Sequence, residues 1–105
     1  NLIYEVHGSI HFLQCYSCQT IVDNKFEPIV DLDKMSCSNL PLCSKCEDTL
    51  RPNILMFDDW EWVVQRAQPQ ECNYKQFLKS HSQKKKVLIE IGCGQAIPTI
   101  RDMME

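Results

Sequence analysis

Two short segments, Cys15-Tyr16-Ser17-Cys18 and Cys43-Ser44-Lys45-Cys46, carry the C-x-x-C spacing that lets two thiolates reach one ion from a single tight turn. Four sulfurs around a tetrahedral centre at ~2.3 Å fill every coordination position and leave none for a catalytic water. The chemistry implied is therefore a structural zinc site, one ion per chain, that ties together both ends of the loop between the knuckles. Four thiolates and Zn²⁺ sum to a local charge of about −2. Lys45 and Arg51 are the cations placed to offset it.

Disulfides and redox chemistry are the competing readings of these sulfurs. The chain has seven cysteines, an odd number, and no secretory leader pattern opens it. A disulfide framework would leave one thiol over and lack its oxidising compartment. A redox knuckle needs a low-pKa thiol at a helix start, and no helical pattern follows either pair. Cys37, Cys72 and Cys93 are spare. Cys37 lies near enough to stand in for Cys43, but only Cys43 forms a knuckle with Cys46.

A second chemical candidate is His7, which precedes Gly8. A histidine beside a glycine at an element end can face a cleft with little obstruction. On its own it reads equally as an exposed or hydrogen-bonded histidine. His11 does not complete a metal pair with it, because Gly8 and the surrounding branched and aromatic residues read as extended chain, not helix.

These groups need elements to hold them. Residues 1–15 read as two extended pieces around a turn at Gly8-Ser9. From Cys15 to Cys46 the chain is rich in turn residues, with strand fragments only at Ile21-Val22 and Ile29-Val30, and a unit of this kind needs a metal or disulfides in place of a core. Asn53 to Phe57 reads as a buried strand. Asp58-Asp59 then caps a helix through Trp60, Val63, Val64 and Ala67 that Pro69 breaks. A second helical face follows at Tyr74, Phe77, Leu78 and His81. Val87 to Ile91, closed by Gly92-Cys93-Gly94, has the profile of a parallel strand buried on both faces, and Thr99 to Glu105 begins a further helix. The fold class expected is an α/β fragment. It combines a zinc-ribbon-like small antiparallel sheet around four cysteines with partial Rossmann-like strand and helix elements.

Composition narrows the partners. With 105 residues and 44% hydrophobic content the chain suits one modest domain, and it begins with Asn1, so it reads as a piece of something longer. Eleven Lys plus Arg against 14 Asp plus Glu, net −3, disfavours nucleic acid. Lys84-Lys85-Lys86 reads as a solvated helix end suited to the negative end of the helix dipole. No apolar run approaches the ~20 residues of a spanning helix. A reducing compartment, cytoplasmic or nuclear, is the expected home, and nothing bears on oligomeric state.

Taken in order, Tyr4-Glu5-Val6-His7-Gly8-Ser9, the two knuckles, Leu50-Arg51-Pro52-Asn53-Ile54-Leu55-Met56-Phe57 and Gly92-Cys93-Gly94-Gln95-Ala96-Ile97-Pro98 resemble the motif series of the sirtuins. The likeness covers nearly the whole chain and is vague at 60–86. It implies an NAD-dependent protein-lysine deacylase that releases nicotinamide and O-acyl-ADP-ribose. His7 would be the base, and Cys15, Cys18, Cys43 and Cys46 would hold the zinc. Backbone groups of Ile54, Leu55, Met56 and Phe57 would meet an acyl-lysine peptide, and Gly92, Cys93 and Gly94 would approach the adenine ribose of NAD. Residues 1–14 would then be a catalytic-histidine segment, 15–50 the zinc module and 51–105 a partial nucleotide-binding portion. Phe57-Asp58-Asp59 stands where the family carries Phe-Gly-Glu, and Cys93-Gly94 where it carries Thr-Ser. Only six residues precede His7, so the family's phosphate loop is not represented and the polypeptide by itself is expected to be inactive. Two alternatives stand beside this reading: a freestanding zinc-ribbon interaction module docking through Trp60 and Trp62, and an NAD-dependent protein ADP-ribosyltransferase.

Overall fold

The computed structural model describes residues 2–92, 94 and 96–103. Strand β1 (Gly8–Cys15) is the centre of a three-stranded antiparallel sheet, flanked by β2 (Ile21–Asp23) and β5 (Leu50–Ile54). A separate hairpin pairs β3 (Val30–Asp31) with β4 (Ser36–Cys37). A 3₁₀ turn, Val64–Arg66, runs into α1 (Ala67–Ser80), and α2 (Thr99–Asp102) is a single turn. The α/β class and the small antiparallel sheet at the cysteines are as expected from the sequence.

The sheet departs from regular pairing at one place. Ser9 faces Asn53, but the next β5 residue, Pro52, faces Leu13, so Ile10, His11 and Phe12 bulge out of the β1–β5 ladder. Pro52 has no N–H to give to a ladder, and an edge strand at a bulge is where a proline is tolerated. The displaced residues turn to the other side: Phe12 pairs with Asp23, and the Asn24 backbone N–H donates to the His11 carbonyl at 2.8 Å. The expected pair of extended pieces is thus one strand, beginning at Gly8.

The apolar core is small. Leu13, Cys15, Cys43 and Leu50 are buried together, with Val22 and Phe26 packed against them. Beside it lies a buried polar network. Gln14 and Asn53, each 1% exposed, bond to one another at 2.9 Å. Gln14 also accepts from the Val63 N–H at 3.0 Å and donates to the Glu61 carbonyl at 2.9 Å, and Asn53 donates to the Val63 carbonyl at 2.9 Å. Each hydrogen bond made here spares a buried group a desolvation cost of about 1–3 kcal/mol, although Asn53 Oδ1 itself has no partner among the described residues, and the set fixes the non-helical stretch before α1 to the sheet.

Four sequence expectations are corrected. The strand over Asn53–Phe57 lies three residues earlier, at Leu50–Ile54; Leu55 to Phe57 lie beyond it, and Phe57 is 80% exposed. No α-helix runs from Trp60 to Ala67, because Asp59 is committed to Arg51 (below) and its neighbours to the Gln14 network. Pro69 does not break a helix but sits in the first turn of α1, where its missing N–H would have had no partner. Val87 to Ile91 forms no strand, and Val87 and Ile91 are 87% and 88% exposed. A strand needs a neighbour for its backbone groups, and among the described residues none lies beside this run. The end of α1 at His81 agrees with its apolar spacing, and the ring Nδ1 lies 2.8 Å from the Phe77 carbonyl, satisfying the last turn.

Candidate functional site

The two knuckles are built alike. β1 delivers Cys15, whose N–H donates to the Thr20 carbonyl at 3.0 Å; Cys43 N–H donates to the Asp48 carbonyl at 2.8 Å. Each turn then reverses through a residue in the left-handed region just after its second cysteine, Gln19 at φ 57° and Glu47 at φ 61°. In both, the first cysteine is buried and the second exposed. The turns are held against one another by the Tyr16 N–H on the Thr49 carbonyl and by the Ser17 hydroxyl on the Asp48 carboxylate.

This arrangement puts all four Sγ atoms within 4.8 Å of one another, with Cys15–Cys46 at 3.4 Å and Cys18–Cys43 at 3.6 Å. A tetrahedral site with ~2.3 Å bonds has edges of ~3.8 Å, so the cluster is of the right size for one ion. The thiols are free, as are those of Cys37 and Cys72. Cys37 stands apart, donating to the Asn39 carbonyl at 2.8 Å.

Two members of the cluster are pushed in opposite directions. The Thr20 hydroxyl and backbone amide bring Cys18 down to about 6. Cys46 is driven up to about 12: the Asp48 backbone hydrogen bond pulls it down, but the Cys15 sulfur, desolvation and the sulfurs of Cys18 and Cys43 outweigh that pull. Four sulfurs this close cannot all ionise without a cation among them. The donor set, its size and its charge fit Zn²⁺, and Cys15, Cys18, Cys43 and Cys46 are the residues that would hold it, with no position left open. Arg51 does not serve as their counter-charge. Its guanidinium is paired with both carboxylate oxygens of Asp59 at 2.8 and 2.7 Å and lies over the Tyr16 ring, 5.5 Å from its centroid.

His7 lies in a turn closed by the Gly8 N–H on the Glu5 carbonyl at 2.9 Å, and its side chain is exposed. The His7 carbonyl accepts from the Leu55 N–H at 2.9 Å, so one backbone bond joins the histidine turn to the segment after β5. His7, Leu55, Met56 and Phe57 line a single cleft of about 560 Å³, completed by Ile97 and Thr99. Of the residues singled out from sequence, Ile54 is instead at the end of β5 opposite Gly8, and Gly92, at φ 70°, and Gly94 have open space around them. Cys93 lies outside the described residues.

Sequence reading missed what steadies this cleft. Glu5 is held to α1 and to the 3₁₀ turn before it: its N–H donates to Gln70 Oε1 at 2.8 Å, and its carboxylate accepts from Gln70 at 3.1 Å and from Arg66 of the turn at 2.8 Å. Arg66 in turn lies on the Phe12 ring, 3.4 Å from the centroid. Partners some 60 residues apart leave no local pattern to find.

Residues 1–97 match the family profile described as the Sir2 family. The chain belongs to the Sir2 family. An "NAD-dependent protein deacetylase" of Thermotoga maritima is 30% identical over 57 residues, and one of the same name from Clostridium perfringens is 26% identical over 57 residues. Both alignments cover 54% of this chain and only 22% and 20% of those proteins, so the chain spans about a fifth of the Sir2 relatives it matches. No solved structure matches it significantly. The Sir2 profile runs well past the metal module, which a freestanding zinc ribbon would not explain. Among the described residues no helix is long and apolar enough to cross a membrane.

Proposed function

We propose that this Sir2 chain is part of an NAD-dependent protein-lysine deacylase, with residues 1–14 supplying the base, 15–50 a zinc module and 51–105 part of the nucleotide-binding portion. The observation that supports it most is the shared cleft: His7, the proposed base, faces the same space as Leu55, Met56 and Phe57, the proposed peptide segment.

NAD, when bound, supplies the ribose that takes up the acyl group, with release of nicotinamide. The part of His7 is to accept a proton from a ribose hydroxyl, a task suited to an exposed imidazole at the mouth of a cleft. Its carbonyl, bonded to the Leu55 N–H, fixes where that imidazole starts. β5 is an edge strand, paired on one side with β1, so Ile54 and the residues after it can receive an extended acyl-lysine peptide by strand addition. Gly92, Cys93 and Gly94 are the residues proposed to approach the adenine ribose. Cys15, Cys18, Cys43 and Cys46 hold zinc away from the reaction, and the ion serves the fold.

The test is an assay of the protein expressed from its complete reading frame with an acetyl-lysine peptide. NAD-dependent loss of the acetyl group, abolished by His7→Tyr with an unchanged circular dichroism spectrum, is expected. Absence of acetyl release, or full activity in the variant, overturns the proposal. Transfer of ADP-ribose to protein in place of acetyl release would show as a mass increase on the acceptor and would replace deacylation by transfer.

A further inference from the structure

Asp59 is a carboxylate held by several donors at once. It takes two hydrogen bonds from one guanidinium nitrogen of Arg51 and a third from the Met56 N–H at 3.3 Å. The side chains of Arg51 and Asp59 are only 14% and 9% exposed, so the pair is shielded from solvent in a way that surface pairs are not. Asp59 can bend back onto Met56 because Asp58 between them takes a left-handed φ of 54°. On its far side Arg51 rests on Tyr16, the residue between the two cysteines of the first knuckle.

A continuous path therefore runs from the knuckle through Tyr16, Arg51 and Asp59 to a backbone amide in the cleft that holds His7. We propose that Arg51 and Asp59 are positioning residues that set the Met56 backbone from the first knuckle, so that the geometry of the peptide-binding segment is read off the metal module. This rests on the reading of residues 54–57 as the substrate segment. The physical content is that one guanidinium nitrogen of Arg51 holds both carboxylate oxygens out of solvent, which fixes the carboxylate more firmly than its single hydrogen bond to Met56 would.

Spatial intermediacy alone does not show coupling, so the test measures it. Amide hydrogen exchange is followed on the zinc-loaded chain. Asp59→Ala is expected to speed exchange at Met56 about fivefold or more while leaving Leu55, whose N–H is bonded to His7, within about twofold of wild type. Asp59→Glu, which keeps the carboxylate, restores most of the protection. Tyr16→Leu leaves zinc stoichiometry at one and speeds Met56 exchange by about twofold to threefold. A merely structural role would move Leu55 and Met56 together. Unchanged Met56 exchange in Asp59→Ala overturns the proposal, and unchanged exchange in Tyr16→Leu removes its link to the knuckle. In the complete protein, Asp59→Ala is expected to raise KM for an acetyl-lysine peptide with kcat nearly retained. If exchange responds but KM does not, the clamp stands and the assignment of residues 54–57 as the peptide segment falls.

Discussion

A β-carbon placed on Gly8 would stand 2.0 Å from the carbonyl oxygen of Asn53, and Gly8 holds φ at +81°. Both facts exclude any other residue from the first position of β1, where the chain comes out of the histidine turn and meets β5. Gly8→Ala must push the two strands apart at the point where Leu55 bonds to His7. We expect a loss of about 2–3 kcal/mol in urea unfolding, from left-handed strain and the broken approach together. A variant as stable as wild type would show that the strands are not this close.

Asp58 presents the opposite case. It occupies the left-handed region at φ 54°, which glycine enters freely and aspartate only at some cost. Asp58→Gly should therefore raise stability by about 0.5–1 kcal/mol despite glycine's greater freedom when unfolded. A fall in the urea midpoint would contradict this.

With so few apolar residues buried around the knuckles, a bound zinc ion would supply what the core does not. Structural zinc in small domains is worth ~10–16 kcal/mol, against a total stability of about 5–15 kcal/mol for a typical domain. Cys43→Ser should drop zinc below one per chain by elemental analysis and collapse the amide dispersion of residues 15–50. Chelation of the wild type should do the same, and unchanged zinc content in the variant would refute the site.

Acid should attack the Glu5 latch. Hydrogen bonding from Gln70, which outweighs desolvation with help from Arg66, holds the Glu5 carboxyl below its ordinary value of 4.5. The native state thus binds this proton less readily than the unfolded chain does. The stabilisation is complete above the ordinary carboxylate value and is lost as pH falls through the lower native one. Glu5→Gln should cost about 0.5–1 kcal/mol at neutral pH and give a flatter stability curve below pH ~4.5. Parallel curves for the two proteins would exclude the latch.

What could be read from the sequence was what is local. C-x-x-C spacing is a local property, and so is the three- and four-residue recurrence that ends α1 at His81. Composition alone puts the strand at Asn53 to Phe57, because a proline argues against a strand interior, whereas Pro52 is accommodated at a bulge on an edge strand. Leu55, Met56 and Phe57 are apolar without being buried because they face a cleft. A proline in a first turn, as Pro69 is, and a proline that breaks a helix look the same in one dimension. Val87 to Ile91 has the composition of a strand, but composition does not provide a neighbour. The pairs that steady the cleft, Glu5 with Arg66 and Gln14 with Val63, join residues distant in sequence, and nothing in either neighbourhood announces the other.

Gln14 and Cys15 are consecutive in β1, one inside the amide network that secures the approach to α1, the other inside the sulfur cluster. The strand is in that sense a common spine with a different organ fastened to each of two neighbouring vertebrae. Heat or denaturant that peels it from either side meets both fastenings at once. Helix ellipticity and metal release should therefore follow one melting curve, even though almost no greasy interior joins the two halves.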